Sequence, residues 1–143
     1  MPYGRVSLQV EDNPDPEEIR RLAQGLVAHN LGRVEPPGYQ EFAVFLRDGD
    51  GRLAGGVKGY TQWGWLFMSH LWVDEALRGR GWGRALIETA AREAVRRGCR
   101  AAHLDTFGFQ APGFYARLGY ATFGTLDDFP PGHKRFFLWK RLV

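Results

Sequence analysis

A chain of 143 residues, 44% hydrophobic and 24% charged, has the size and balance of one globular domain spanning residues 1–143 with a core of its own. No segment approaches the roughly 20 apolar residues that span a bilayer, and Met1-Pro2-Tyr3-Gly4-Arg5 lacks a signal-peptide core, so a cytoplasmic protein with no membrane role is expected. The lone Cys99 excludes an internal disulfide and supplies no metal-ligand cluster, and the net charge of +3 sits on arginines without the interleaved aromatics of a nucleic-acid module.

Arg5 to Val10 alternates and predicts a first strand. Asp12-Asn13-Pro14-Asp15-Pro16 then starts a helix over about 15–29, with Ile19, Leu22, Ala23, Leu26 and Val27 at helical spacing. After a loop with Pro36-Pro37-Gly38, residues 41–47 and 52–62 read as strands joined by the turn Asp48-Gly49-Asp50-Gly51. Leu66 to Val73 is the next strand. Residues 81–97 place Leu86, Ile87, Ala90, Ala91 and Ala94 on one side and charged groups on the other, a helix ended by Gly98. A strand over 101–106, a short helix over 112–118 and strands over 120–125 and 134–141 complete the chain. The order implies an α/β (α+β) architecture, a central twisted mixed sheet flanked by helices on both faces.

The stretch Val73 to Arg84 links strand to helix through Arg78-Gly79-Arg80-Gly81-Trp82-Gly83-Arg84. Such a turn aims backbone N–H groups and the positive end of a helix dipole at one point, which suits phosphate. Arg78, Arg80 and Arg84 add charge with a fork geometry matched to phosphate oxygens. The spacing fits neither a P-loop nor the dinucleotide fingerprint. Arg78, Gly81 and Gly83 instead match Arg/Gln-x-x-Gly-x-Gly/Ala, which resembles the acetyl-coenzyme A signature of the GNAT superfamily of N-acetyltransferases. A second motif, Ala-x-x-x-Tyr-x-x-x-Gly-Phe/Tyr, is matched by Ala111, Tyr115, Gly119 and Tyr120.

The resemblance implies acetyl-coenzyme A as acetyl donor, no metal, and a small-molecule or peptide amine as acceptor. It places the pyrophosphate on Arg78 through Arg84 and the pantetheine arm along Leu71, Trp72 and Val73, where the family's strand splays. Gly108 stands where the family often has asparagine, so Gln110 is the nearest substitute, and Tyr115 is the implied general acid. An alkyl amine of pKa about 10.4 is almost wholly protonated at pH 7, so the reaction also needs a proton acceptor. The family's usual base positions hold Phe67 and Ser69, neither competent. His70 lies on the opposite face by strict alternation unless a bulge turns it inward, and Asp105 is placed to act through water. Asp127, Asp128 and Phe129 form the acceptor wall, against the alternative of an ordinary solvated turn. Trp63 and Trp65 are open to two readings, a pocket wall or a homodimer contact. The competing function is a non-catalytic acyl-coenzyme A sensor or scaffold.

Overall fold

The computed structural model describes residues 3–143, which divide at Pro36 into two compact units. In the first unit, α1 spans Pro16–Leu31. Its start is set by Pro16 in the first turn and by the Asp15 carboxylate, which accepts from the Glu17 amide at 2.9 Å. Residues 5–10 are not a strand: Val6, Leu8 and Val10 alternate, but pairing needs a neighbour, and these side chains stand exposed. Among the described residues no helix is long and apolar enough to cross a membrane.

The second unit is a six-stranded mixed sheet of order β1-β2-β3-β4-β6-β5. Its strands are β1 (Gln40–Arg47), β2 (Leu53–Gln62), β3 (Trp65–Val73), β4 (Ala101–Phe107), β5 (Ala121–Asp127) and β6 (Lys134–Arg141). The β1–β2 hairpin closes as its turn residues dictate: Asp48 Oδ1 accepts from the amides of Asp50 and Arg52 at 2.8 and 2.9 Å. All neighbours run antiparallel except β3 and β4, which are joined through α2 (Trp82–Arg96) and pair in parallel. The parallel ladder covers only Trp65↔Ala101 to Met68↔Leu104. Beyond it β3 runs on to Val73 and β4 to Phe107 without pairing to each other, and the sheet opens between them.

The helical stripe of α2 does what its period requires. Leu86, Ile87, Ala90 and Ala94 are buried against Val57, Leu66, Met68, Ala102, Leu104 and Leu138. Burying each large aliphatic side chain stabilises the fold by about 1.5–3 kcal/mol. The short α3 (Pro112–Arg117) adds Phe114 and Tyr115 to the same core. The other face of the sheet is aromatic, with Tyr60, Phe67, Trp65, His103 and Trp139 in ring contact.

Strict alternation fails in β3, and the failure matters for the site. The β2–β3 register slips between Lys58 and Gly59: Lys58 pairs with His70, and Gly59 with Met68. Ser69 is therefore the extra residue of a β-bulge. Before it, Leu66 and Met68 point into the core; after it, Leu71 and Val73 do. His70 consequently leaves the sheet on the same face as Phe67, not on the opposite one. Gly59 makes room for this arrangement, since a Cβ there would overlap the Phe67 carbonyl oxygen.

Tyr120 illustrates a cost built into the core. It is 4% exposed, and its hydroxyl has no hydrogen-bond partner among the described residues. Burial, with a smaller contribution from Tyr115, pushes its phenol up to about 12. Between about pH 10 and that value the folded chain keeps a proton that the unfolded chain has lost, so stability falls as pH rises through this window. Tyr120→Phe is expected to unfold at the same temperature or higher at pH 7, by up to about 1 kcal/mol, because a buried unpaired hydroxyl is removed. Thermal melts at pH 7, 10 and 11 check this, and the variant's alkaline loss of stability should be the smaller.

Candidate active site

The turn between β3 and α2 is built to receive an anion. A 3-10 turn over Glu75–Leu77 is capped by Asp74, and the Arg78 Nε donates to the Val73 carbonyl at 2.9 Å, tying the loop back to the strand end. That bond engages Arg78 through Nε and leaves its two Nη groups to other partners. Gly81 caps α2 at φ +84°, a left-handed conformation that side chains rarely adopt. The first amide to close onto the helix is that of Ala85, on Gly81 O, so the N–H groups of Trp82, Gly83 and Arg84 have no helical acceptor. Arg80 is exposed, and Arg84 is exposed and paired with Glu88 at 2.7 Å. No protein atom lies within 4 Å of a Cβ built at Gly79 or Gly81, so the concave side of the turn is open. These are the features a pyrophosphate requires, and the residues fit one.

Where β3 and β4 part, a cleft of about 330 Å³ is lined from β3 by Met68 to Trp72, from β4 by Leu104 to Thr106, and from the α3 side by Gln110, Ala111, Phe114 and Tyr115. It connects to the glycine turn through Phe114, since a Cβ on Gly83 would lie 3.3 Å from the Phe114 ring. Leu71 and Trp72 line the cleft, and Leu71 and Val73 both pack on the core. Gln110 also lines it. Its Oε1 accepts from the Phe107 amide at 3.0 Å and from Thr106 Oγ1 at 3.3 Å, so the carbonyl end holds the end of β4. Only its amide NH₂ remains to serve as a donor.

Tyr115 forms one wall, its ring 5.1 Å from Phe114 and 6.2 Å from Tyr120. Burial raises its phenol above the ordinary value, so the hydroxyl keeps its proton through neutral and moderately alkaline pH. His70, on the opposite wall, places Nδ1 2.8 Å from Ser69 Oγ. Asp105 reaches the cleft from β4 and is bound by Arg135, whose Nε and Nη2 both meet Oδ1 at 2.9 and 2.6 Å. The structure thus brings Tyr115, His70 and Asp105 to one cavity.

The residues of the predicted acceptor wall each have partners of their own. Asp127 is ion-paired with Lys134, and Asp128 Oδ1 accepts from the Gly132 amide at 3.4 Å, so both carboxylates are occupied within their own loop. Phe129 instead joins Phe107 around the Arg135 guanidinium, at 4.9 and 5.2 Å from the ring centres. Phe109 stacks on Phe107 at 5.4 Å, and Phe109 and Phe129 remain substantially exposed. Sequence reasoning did not single out Phe107, Phe109 and Arg135, and the β4–β6 pairing brings Arg135 beside Asp105. Trp65 packs between His103 and Trp139 on the aromatic face, and Trp63 occupies the β2–β3 turn at φ +46°.

A sheet that opens between parallel strands beside an anion-receiving turn defines an acyl-transferring enzyme of the kind its motifs resemble. The profile of the acetyltransferase (GNAT) family matches residues 7–120, and the chain belongs to this family. Blasticidin-S acetyltransferase of Streptomyces morookaense is 43% identical over 102 residues, 71% of this chain and 75% of that protein. An acetyltransferase of Agrobacterium fabrum is 34% identical over 136 residues, 95% of this chain and 99% of the relative. The crystal structure of an acetyltransferase from Bacillus cereus superimposes with a TM-score of 0.86 at 31% identity, covering 93% of this chain and 97% of that one. The family match runs across both compact units, and the six-stranded mixed sheet is the one these neighbours share.

Proposed function

We propose that the chain transfers the acetyl group of acetyl-coenzyme A to a primary amine of a small molecule, or to an exposed amino group, by direct attack in a ternary complex. The observation that carries this reading is the cleft between the diverging ends of β3 and β4, lined by the protonated Tyr115 and by Phe114, whose ring lies against Gly83 of the open turn. Acetyl-coenzyme A supplies an activated thioester. The backbone of residues 79–84 would bind its pyrophosphate, with Arg80 and Arg84 at the rim. Leu71 and Trp72 would flank the arm on one side, and Ala111 and Gln110 on the other. Tyr115 is positioned to hand its proton to the departing thiolate.

The acceptor would enter beside Asp105, Arg135 and the exposed rings of Phe109 and Phe129. This wall offers planar apolar surface and one carboxylate whose charge is already matched by arginine. A small-molecule acceptor is supported by the 43% identical relative, which is named for blasticidin-S. A silent acyl-coenzyme A scaffold is not favoured, because the relatives are named acetyltransferases and the cleft retains an acid. We also read residues 1–143 as one catalytic domain, cytoplasmic, acting without metal or nucleic acid. Purified protein mixed with acetyl-coenzyme A and a panel of primary amines should release free thiol only when an accepted amine is present. Thiol release that no amine accelerates would overturn the assignment.

A further inference from the structure

The strand positions where the family's base is expected hold Phe67 and Ser69, yet an attacking amine must lose a proton. The bulge at Ser69 supplies another arrangement. Ser69 Oγ lies 3.2 Å from the Lys58 carbonyl oxygen and 2.8 Å from His70 Nδ1. A carbonyl can only accept, so the single hydroxyl proton of Ser69 goes to Lys58. Oγ then presents a lone pair to His70, and Nδ1 must carry the ring proton. Neutral His70 is thereby held with its own lone pair on Nε2, in a residue that lines the cleft with Tyr115 and Asp105.

We infer that Ser69 is a positioning residue that holds His70 as the Nδ1–H tautomer, and that His70 Nε2 is the base that takes the amine's proton. The inference rests on the acetyl-transfer reading above. As the nitrogen of a neutral amine bonds to the acetyl carbon and the carbon–sulfur bond breaks, one N–H proton passes to His70 Nε2. The sulfur takes the proton of Tyr115. His70 then returns its proton to Tyr115 through solvent, leaving amide and thiol as the products. Throughout, the Nδ1–H to Ser69 to Lys58 carbonyl chain stays intact and faces the imidazolium with acceptors only.

Neither residue does this alone. Without the bulge, His70 would point away from Phe67's face. Without the hydroxyl, nothing in the chain selects its tautomer. The other titratable or charged groups around His70 are Lys58 across the ladder on β2, Asp105 on β4 with Arg135 of β6 bound to it, and Tyr115 on α3.

The test reads the tautomer and the chemistry separately. Nitrogen-15 spectra at alkaline pH, with the His70 resonances identified by their loss in His70→Gln, should show the Nδ1–H form in the wild type. Ser69→Ala should shift it toward Nε2–H, and Ser69→Thr, which keeps the hydroxyl, should restore it. With an amine accepted in the thiol-release assay, His70→Gln should lower kcat by about 100-fold. Ser69→Ala should lower kcat by about tenfold and leave KM for acetyl-coenzyme A unchanged. An Nε2–H tautomer in the wild type, or unchanged kcat in a folded His70→Gln protein, would overturn the inference. If the Nδ1–H tautomer is found but no amine accelerates thiol release, the acetyl-transfer reading has failed and the base assignment fails with it.

Discussion

Tyr115→Phe should bind coenzyme A nearly as well as the wild type while turning over about 10²–10⁴-fold more slowly, the usual contribution of a general acid. The ring contacts with Phe114 and Tyr120 survive the change, so the fold and the cleft should keep their shape. Only the proton donor is lost. The raised pKa of Tyr115 follows from burial and sets the direction of the pH dependence. The acid form is present at neutral pH and is lost only above the ordinary phenol value of about 10, so wild-type activity should hold into alkaline conditions before it falls. Single-turnover rates, which isolate the chemical step from product release, check this outcome. An unchanged single-turnover rate would return Tyr115 to the packing residues.

Gly81→Val is expected to raise the dissociation constant for coenzyme A by about 10–100-fold. A β-branched residue at φ +84° costs roughly 1–3 kcal/mol if the turn keeps its shape, and the turn is free to escape that strain by moving its amides out of line. The first course costs stability; the second weakens the anion site, because binding must then restore the strained turn, and a factor of ten corresponds to about 1.4 kcal/mol. No protein atom lies within 4 Å of the added Cβ, so the core should be untouched and the variant should remain folded. Arg84→Ala, which removes one exposed and already paired side chain, should cost less than about tenfold. Titration calorimetry on both variants separates a site made of backbone geometry from one made of charge. Wild-type affinity in a folded Gly81→Val protein would remove the turn from the cofactor site.

The parts of the molecule that were legible in the sequence are those written in local chemistry. The Asp-Gly-Asp-Gly turn, the Pro16 and Pro112 helix starts, the apolar stripe of α2 and the glycines of the anion turn each act within a few residues of themselves. All are found where the residue types place them. The alternation of Val6, Leu8 and Val10 is equally local, but a strand also needs a neighbour, which alternation cannot supply.

The placement of His70 illustrates a deeper limit. Alternation in β3 is interrupted by one residue, and the interruption is decided by pairing with β2, where Gly59 accepts a carbonyl approach that no other residue tolerates. Gly59 was the available signal, an isolated glycine in a strand, yet it stands eleven residues from His70. The partners of the predicted acceptor-wall residues were not legible for the same reason. Asp127 and Asp128 are adjacent carboxylates in sequence, but the β5–β6 pairing hands Asp127 to Lys134, and the β4–β6 pairing places Arg135 beside Asp105.

A crystal structure of the protein with coenzyme A tests the central claim most directly, because every assignment depends on where that molecule lies. The account predicts the pyrophosphate on the amides of residues 82–84, the arm between β3 and β4, and the thiol within about 3.5 Å of the Tyr115 hydroxyl. A coenzyme A molecule bound outside the opening between β3 and β4, or a thiol remote from Tyr115, would contradict it.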